Sequence, residues 1–302
     1  MYRSGPPQAA GGLRTGLRVR RVASQVFDGT SETSLDPDLR VYLADMIRPY
    51  ELALREDLLA ERAGHNYGEM AEELLRATVS EDEPIDLLLL AFGIPDVRPG
   101  RCSALYLSSV CPGEPLAFAI CEQGTGAAHT ALKLARDYGR GGGNSGSGCQ
   151  RALVLIVEQA ALHYEPAPSP TAPLLPDRHT AVALVCDQSG TDESVLLRQH
   201  TDVAPESISS LLLADIAMLT VDHARTVVIL GAGLAAMAQE VKATGCDDVV
   251  VACAGQPYTG MWSELAGGLP QWTAEGALIL LADYDSQLRY LSVCGIDTVS
   301  AP

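Results

Sequence analysis

Short apolar runs separated by amphipathic stretches set the pattern of this 302-residue chain. Ile85–Phe92 (IDLLLLAF), Leu116–Cys121, Arg151–Gln159 (RALVLIVEQ), Thr226–Leu230 and Asp248–Ala252 are too short for core helices and apolar at both alternating positions. That is the pattern of strands covered on both faces, as in a parallel sheet. A first strand is expected near Leu17–Ala23, and Ala277–Asp283 with Leu288–Val293 predict two closing strands. Thr180–Asp187 and Ser194–His200 predict a strand pair joined by the QSGTDE turn. Helical spacing of apolar residues predicts helices within Asp36–Ala63, interrupted by Pro49, and at Tyr67–Ala77, Ser103–Val110, Ala127–Asp137, Ser207–Leu219, Gly231–Thr244 and Trp262–Leu265. Gly139–Gly148 reads as a flexible loop. It is no phosphate cradle, because no Gly-Lys-Ser/Thr follows. The proline-rich Pro166–Pro176 cannot enter a sheet interior. The pattern gives a disordered start over 1–16 and two βα-rich halves, 17–176 and 177–302, in a layered α/β architecture.

Charge and composition narrow the partners. A formal net charge of −17 argues against nucleic acid and anionic membrane surfaces, and it suits a soluble protein or a basic partner subunit. No apolar run approaches the ~20 residues of a membrane span. The first residues, MYRSGPPQAAGGLRTGLRVRR, lack the apolar core of a secretory signal, so a cytoplasmic location is expected. The 8 cysteines are scattered, without a Cys-x-x-Cys pair or histidines at ligand spacing, which predicts reduced thiols and no metal site. Cys186, Cys253 and Cys294 sit in apolar runs and read as small core residues. No cofactor is expected.

The chemistry-bearing stretch is Pro115–Ala135, PLAFAICEQGTGAAHTALKLA: a strand, a Gly-containing elbow at Gln123–Gly126, and a helix. Such an elbow aims backbone N–H groups and the positive end of a helix dipole at one point, where enzymes commonly place a nucleophile. This chain has glycine there. Cys121, at the strand end, is a candidate relocated nucleophile, weighed against a plain buried thiol. Glu122 and His129 flank the elbow as a candidate acid–base pair, weighed against a solvated or interface role. His163 and Tyr164 are expected to be structural. VVILGAGLAAMA imitates a dinucleotide fingerprint, but the strand that follows, VVVACAGQ, ends without the acidic residue that a ribose needs.

Taken together, these segments resemble the ketosynthase III (3-oxoacyl-carrier-protein synthase III) branch of the thiolase superfamily, from about Asp86 to Asp187 and from Thr226 to Val293. IDLLLLAFGIPD is similar to that family's DLIIVATSTPD-like strand and turn, and AFAICEQGTGAAHTALKLA to its nucleophile segment. RALVLIVEQAALHYEP resembles the strand after it, DRHTAVALVCD its GDGAGAVVL strand, and TAEGALILLADYDSQLRYLSV its closing hairpin. The resemblance implies a thiolase-like five-layer αβαβα fold with two pseudo-symmetric halves, as an obligate dimer of the class that buries more than ~2,000 Å². In that dimer the strand matching Leu116, Ala117, Phe118, Ala119 and Ile120 pairs across the two-fold.

Active members carry Cys, His and Asn. The resemblance places Gly124 at the Cys position, Gly231 at the His position (VILGAG against VPHQAN) and Tyr258 at or beside the Asn position (PYTGMW against GNTSAA). Glycine has neither nucleophile nor proton to offer. Thr201–Ala224 is also much shorter than the family's usual insertion, which helps shape the acyl or phosphopantetheine passage. The resemblance therefore implies a pseudo-enzyme subunit. It would pair with an active ketosynthase III-like homologue in polyketide, fatty-acyl or related specialised-metabolite biosynthesis, with acyl carrier protein or acyl-CoA as a further partner. The alternative is an acyltransferase or thioesterase-like enzyme using Cys121, or His129 with Glu122. A third reading is a homodimeric ligand-binding protein.

Overall fold

The computed structural model describes residues 16–140, 149–166, 174–188, 195–221 and 223–298. The expected disordered start up to residue 15, the glycine loop over 141–148, the proline-rich crossing over 167–173 and the turn over 189–193 lie outside the described residues, while Gly139 and Arg140, expected in the loop, belong to the helix over Ala127–Arg140. The first half comprises β1 (Leu17–Phe27), α1 (Glu32–Leu35), α2 (Leu39–Ile47), α3 (Glu56–Ala60), α4 (Tyr67–Thr78), β2 (Leu87–Ala91), α5 (Ser103–Val110), β3 (Leu116–Ile120), α6 (Ala127–Arg140), β4 (Arg151–Glu158) and β5 (His179–Gln188). The second comprises β6 (Val195–His200), α7 (Ile208–Leu219), β7 (Thr226–Leu230), α8 (Ala238–Ala243), β8 (Asp248–Val251), α9 (Gly260–Ala274), β9 (Leu278–Asp285) and β10 (Tyr290–Asp297).

The strands form two five-stranded sheets, ordered β1-β5-β4-β2-β3 and β6-β10-β9-β7-β8. Each has three parallel strands at one end (β4, β2, β3 and β9, β7, β8) and antiparallel pairings at the other, so the second sheet repeats the plan of the first. The pair expected from Thr180–Asp187 and Ser194–His200 does not form. β5 lies between β1 and β4 of the first sheet, and β6 pairs with β10 in the second. The expected boundary at 176/177 is corrected accordingly: the change of sheet falls between Gln188 and Val195.

Alternation along β2 explains the layers. Leu87, Leu89 and Ala91 pack inward with residues of α6, α9 and the second sheet, including Ile229, Ile279 and Leu281. Leu88 and Leu90 pack outward against α4 and α5. Each fully buried leucine stabilises by about 2 kcal/mol, so a strand covered on both faces is apolar throughout. The outer face of the second sheet packs against α7 and α8. The result is the five-layer thiolase-like α/β arrangement, with α6 and α9 as the middle layer. α4 starts sharply at Asn66, whose side chain accepts from the Gly68 N–H (2.7 Å) while Glu69 accepts from the Asn66 N–H (3.1 Å). Of the cysteines read as core, Cys186 and Cys294 are buried, whereas Cys253 is exposed just beyond β8.

The sheet ends differ in their side chains. Three of the four terminal strands carry charges: Arg18, Arg20 and Arg21 in β1, Arg198 in β6 and Asp248 in β8. β3, LAFAI, carries none, and Leu116 is 53% exposed. Charges on an edge strand oppose pairing with another chain, and β3 lacks this protection.

One buried ion cluster fastens α7 to the second sheet. Asp215, 2% exposed, binds Arg198 Nε (2.7 Å) and His200 Nε2 (2.7 Å) from β6. Removing one partner of a buried pair leaves an uncompensated charge. Asp215→Ala is expected to lower stability by about 3 kcal/mol, read from the urea unfolding midpoint.

Candidate functional site

The halves meet at the elbow that follows β3. Glu122 and Gly124 both take left-handed backbone angles (φ 59° and 52°), turning the chain sharply off the strand. A short 3-10 turn, Gly124–Gly126, then leads into α6. Facing it, Gly231 ends β7, the β9–β10 hairpin brings Asp283 to Leu288, and the loop before α9 brings Tyr258. Gly124, Tyr258, Asp283 and Asp285 line one cleft of about 250 Å³, and Gly231 adjoins it through Ala232 and Gly233. The three positions singled out in the sequence are thus brought together.

Carboxylates fill the space in front of both glycines. A Cβ on Gly124 would lie 1.8 Å from Asp285 Oδ2, and one on Gly231 would lie 2.1 Å from Asp283 Oδ1. Asp285 is held firmly. Its Oδ2 accepts the Thr125 N–H (3.0 Å), and Oδ1 accepts the N–H groups of Gln287 (3.0 Å) and Leu288 (2.8 Å). The elbow amide that could face an incoming oxyanion is already bound to a side chain of the chain itself. Asp283 is buried and accepts the Tyr284 N–H (2.8 Å). Burial pushes its carboxyl up to about 6, opposed by hydrogen bonds from the Thr125 side chain and the Tyr284 amide.

Tyr258 is buried, and its hydroxyl donates to the Leu174 carbonyl (3.0 Å). Its ring closes on Gly93, where a Cβ would come within 2.0 Å. Burial raises its phenol far above the ordinary range. Beneath it, Glu158 at the end of β4 accepts the N–H groups of Tyr258 (2.9 Å) and Thr259 (3.2 Å) and the Thr259 hydroxyl. This fully buried carboxylate caps the start of α9, and burial pushes it up to about 7.

The alternative candidates are not assembled. Cys121 is exposed and lies outside the cleft lining; burial of part of its surface and the neighbouring Glu122 push its thiol up, away from the reactive thiolate. His129 has no exposed surface, meets Trp262 edge-on (5.2 Å between ring centroids), and neither ring nitrogen has a hydrogen-bond partner. Burial pushes it down to about 4, so it is a neutral core side chain. Glu122 is exposed and lines the cleft beside Gly124, whereas His129 is interior, so the expected Glu122–His129 pair is corrected to one surface and one buried residue. His163 Nε2 donates to the Ala63 carbonyl (2.9 Å), and Tyr164 bridges to Leu54, so both tether the 51–63 segment. Among the described residues that line the cleft there is no cysteine or histidine, and no cluster fit for a metal ion occurs among the described residues. Asp283, Asp285 and Glu158 are the residues that sequence reasoning passed over. Their signal is an acidic residue at alternate positions within, or at the end of, an otherwise apolar run: LILLADYD and RALVLIVE.

Two tests follow from this packing. Gly124→Cys should lose about 3 kcal/mol by overpacking and a disfavoured backbone angle, and the same substitution should cost less in an Asp285→Gly background, where only the overpacking is relieved, both read from urea midpoints. Glu158 holds its proton more tightly folded than unfolded. Its stabilising share is full below its ordinary value of 4.5 and is lost as pH rises through about 7. Between about pH 5 and about pH 8 the unfolding midpoint should therefore fall less in Glu158→Gln than in the parent, a difference on the order of 2 kcal/mol.

Neither a protein-family model nor a curated protein matches the sequence. Solved structures do match in fold. The 3-oxoacyl-(acyl carrier protein) synthase III FabH of Pseudomonas aeruginosa PAO1 superposes with a TM-score of 0.58 at 14% identity, over 93% of this chain and 98% of that one. The 3-oxoacyl-(acyl-carrier protein) synthase of Burkholderia xenovorans LB400 gives 0.63 at 13% identity, over 96% of each chain. AbyA1, a tetronic acid condensing enzyme, gives 0.62 at 18% identity, over 93% of this chain and 99% of that one. With two matching sheets and helices in the same layers, the chain has the thiolase fold of ketosynthase III-like condensing enzymes.

Proposed function

We propose that this chain is a non-catalytic, ketosynthase III-like subunit that pairs with an active homologue carrying the Cys-His-Asn set. Its work is to complete the dimer and shape the partner's acyl pocket, in polyketide, fatty-acyl or related specialised-metabolite biosynthesis, with acyl carrier protein or acyl-CoA delivered to the partner. The observation that carries this reading is the occupation of the cleft. Asp285 and Asp283 stand where side chains at 124 and 231 would project, and Asp285 binds the elbow amide. A thiol nucleophile and an imidazole base have no room there, and acyl transfer by this fold's chemistry needs both.

The uncharged, partly exposed β3 supports the partner role. Its residues Leu116, Ala117, Phe118, Ala119 and Ile120 form, among the described residues, the one sheet end without internal charges, the place where another chain's strand would add. Use of Cys121, or of His129 with Glu122, as an alternative catalytic set is disfavoured by the exposed, up-shifted thiol and the buried, unpartnered imidazole.

Reconstitution tests the reading. Co-expression with a triad-bearing homologue should give a stable one-to-one complex. Its condensing activity should disappear when this chain is omitted and persist with Cys121→Ala. Incubation of the isolated chain with acyl-CoA should leave its intact mass unchanged. An acyl adduct on Cys121, or condensation by the chain alone, overturns the proposal.

A further inference from the structure

The exposed flank of β3 carries its own selection rule for a partner. The Leu116 N–H donates to the Asp86 carbonyl (3.0 Å), and the Phe92 N–H to the Ile120 carbonyl (3.1 Å). Leu116, Phe118 and Ile120 therefore turn their backbone groups toward β2, and by alternation Ala117 and Ala119 turn theirs toward the open side. Two such strands meeting antiparallel about a two-fold axis match best with the axis at Phe118. Ala117 of each copy then exchanges both backbone hydrogen bonds with Ala119 of the other. A shift one way brings Pro115, which has no N–H, into the ladder. A shift the other way brings Cys121 into it, beside the left-handed turn at Glu122.

That arrangement sets like charges together. Glu114 precedes the strand and Glu122 follows it; both are exposed, and neither makes an ion pair among the described residues. About an axis at Phe118, Glu114 of one copy abuts Glu122 of the second copy, and the same contact recurs at the other end. Two chains of formal charge −17 add a general repulsion. We propose that the β3 flank selects, through Glu114 and Glu122 at its two ends, a heterologous edge strand with a basic residue at each end, over a second copy of this chain. This rests on the reading of β3 as a subunit interface and names the chemistry of the partner strand. The apolar middle supplies attraction to any edge, and the carboxylates supply the discrimination.

Charge reversal tests it on the full chain alone, by sedimentation at low salt. A single Glu114→Lys, or a single Glu122→Lys, turns both repulsive contacts into attractive ones and should tighten self-association by about tenfold or more. The double variant Glu114→Lys/Glu122→Lys restores like charges and should return to the parent's weak self-association. Added salt should tighten self-association of the parent and weaken that of the single variants. Single reversals that leave self-association unchanged, whether the parent is monomeric or dimeric, overturn the proposal, as does a double variant that associates more tightly than either single one. The readout involves no catalysis: acyl transfer by the isolated chain would sink the non-catalytic reading and leave this rule standing, and unmoved sedimentation would do the reverse.

Discussion

The site depends on one contact between the halves: the Asp285 carboxylate on the Thr125 amide, with Gly124 beside it. The hydrogen bond ties the β9–β10 hairpin to the elbow that launches α6. It is charge-assisted and lies at a helix start, where a carboxylate gains from the aligned peptide dipoles. The missing Cβ at Gly124 makes the contact sterically possible, and Gly231 does the same for Asp283. Glycine and aspartate at these positions are therefore coupled, and each explains the other. The cleft retains the outline of a pocket between two halves while its polar groups are satisfied from within.

The same geometry accounts for the unequal ends of the sheets. The strands that terminate them at β1, β6 and β8 carry arginine or aspartate, which keeps them from pairing with neighbours in solution. β3 is short, apolar and adjacent to the elbow, so a chain added to it would lie close to the cleft. Function assigned to a partner's pocket and function assigned to this flank are then two views of one surface.

Much of this was legible in the residues. Runs such as IDLLLLAF and RALVLIVEQ announced doubly covered strands, and the strand–elbow–helix over Pro115–Ala135 marked where the halves converge. The sheet membership of β5 was not legible, because a short turn between two apolar runs favours a hairpin locally, and long-range pairing with β1 and β4 overrode it. The sequence pattern predicts only Trp262–Leu265 of α9, because Gly267, Gly268 and Pro270 look like breakers. In the fold it runs from Gly260 to Ala274, and the bare Gly268 makes room for the Trp272 ring. His129 sat at a place suggestive of chemistry, yet helical spacing turned it onto Trp262 in the interior. Asp283 and Asp285 were hidden because a strand's polar residues reveal their role only through what faces them.

The middle layer has a mechanical consequence. α6 belongs by sequence to one half and α9 to the other, yet a single apolar cluster joins them to both sheets. Severed between β5 and β6, each fragment would retain its own sheet but leave the inner side of it wet. Folding of this chain is therefore a joint event, in which neither repeat reaches its final packing until its counterpart has arrived.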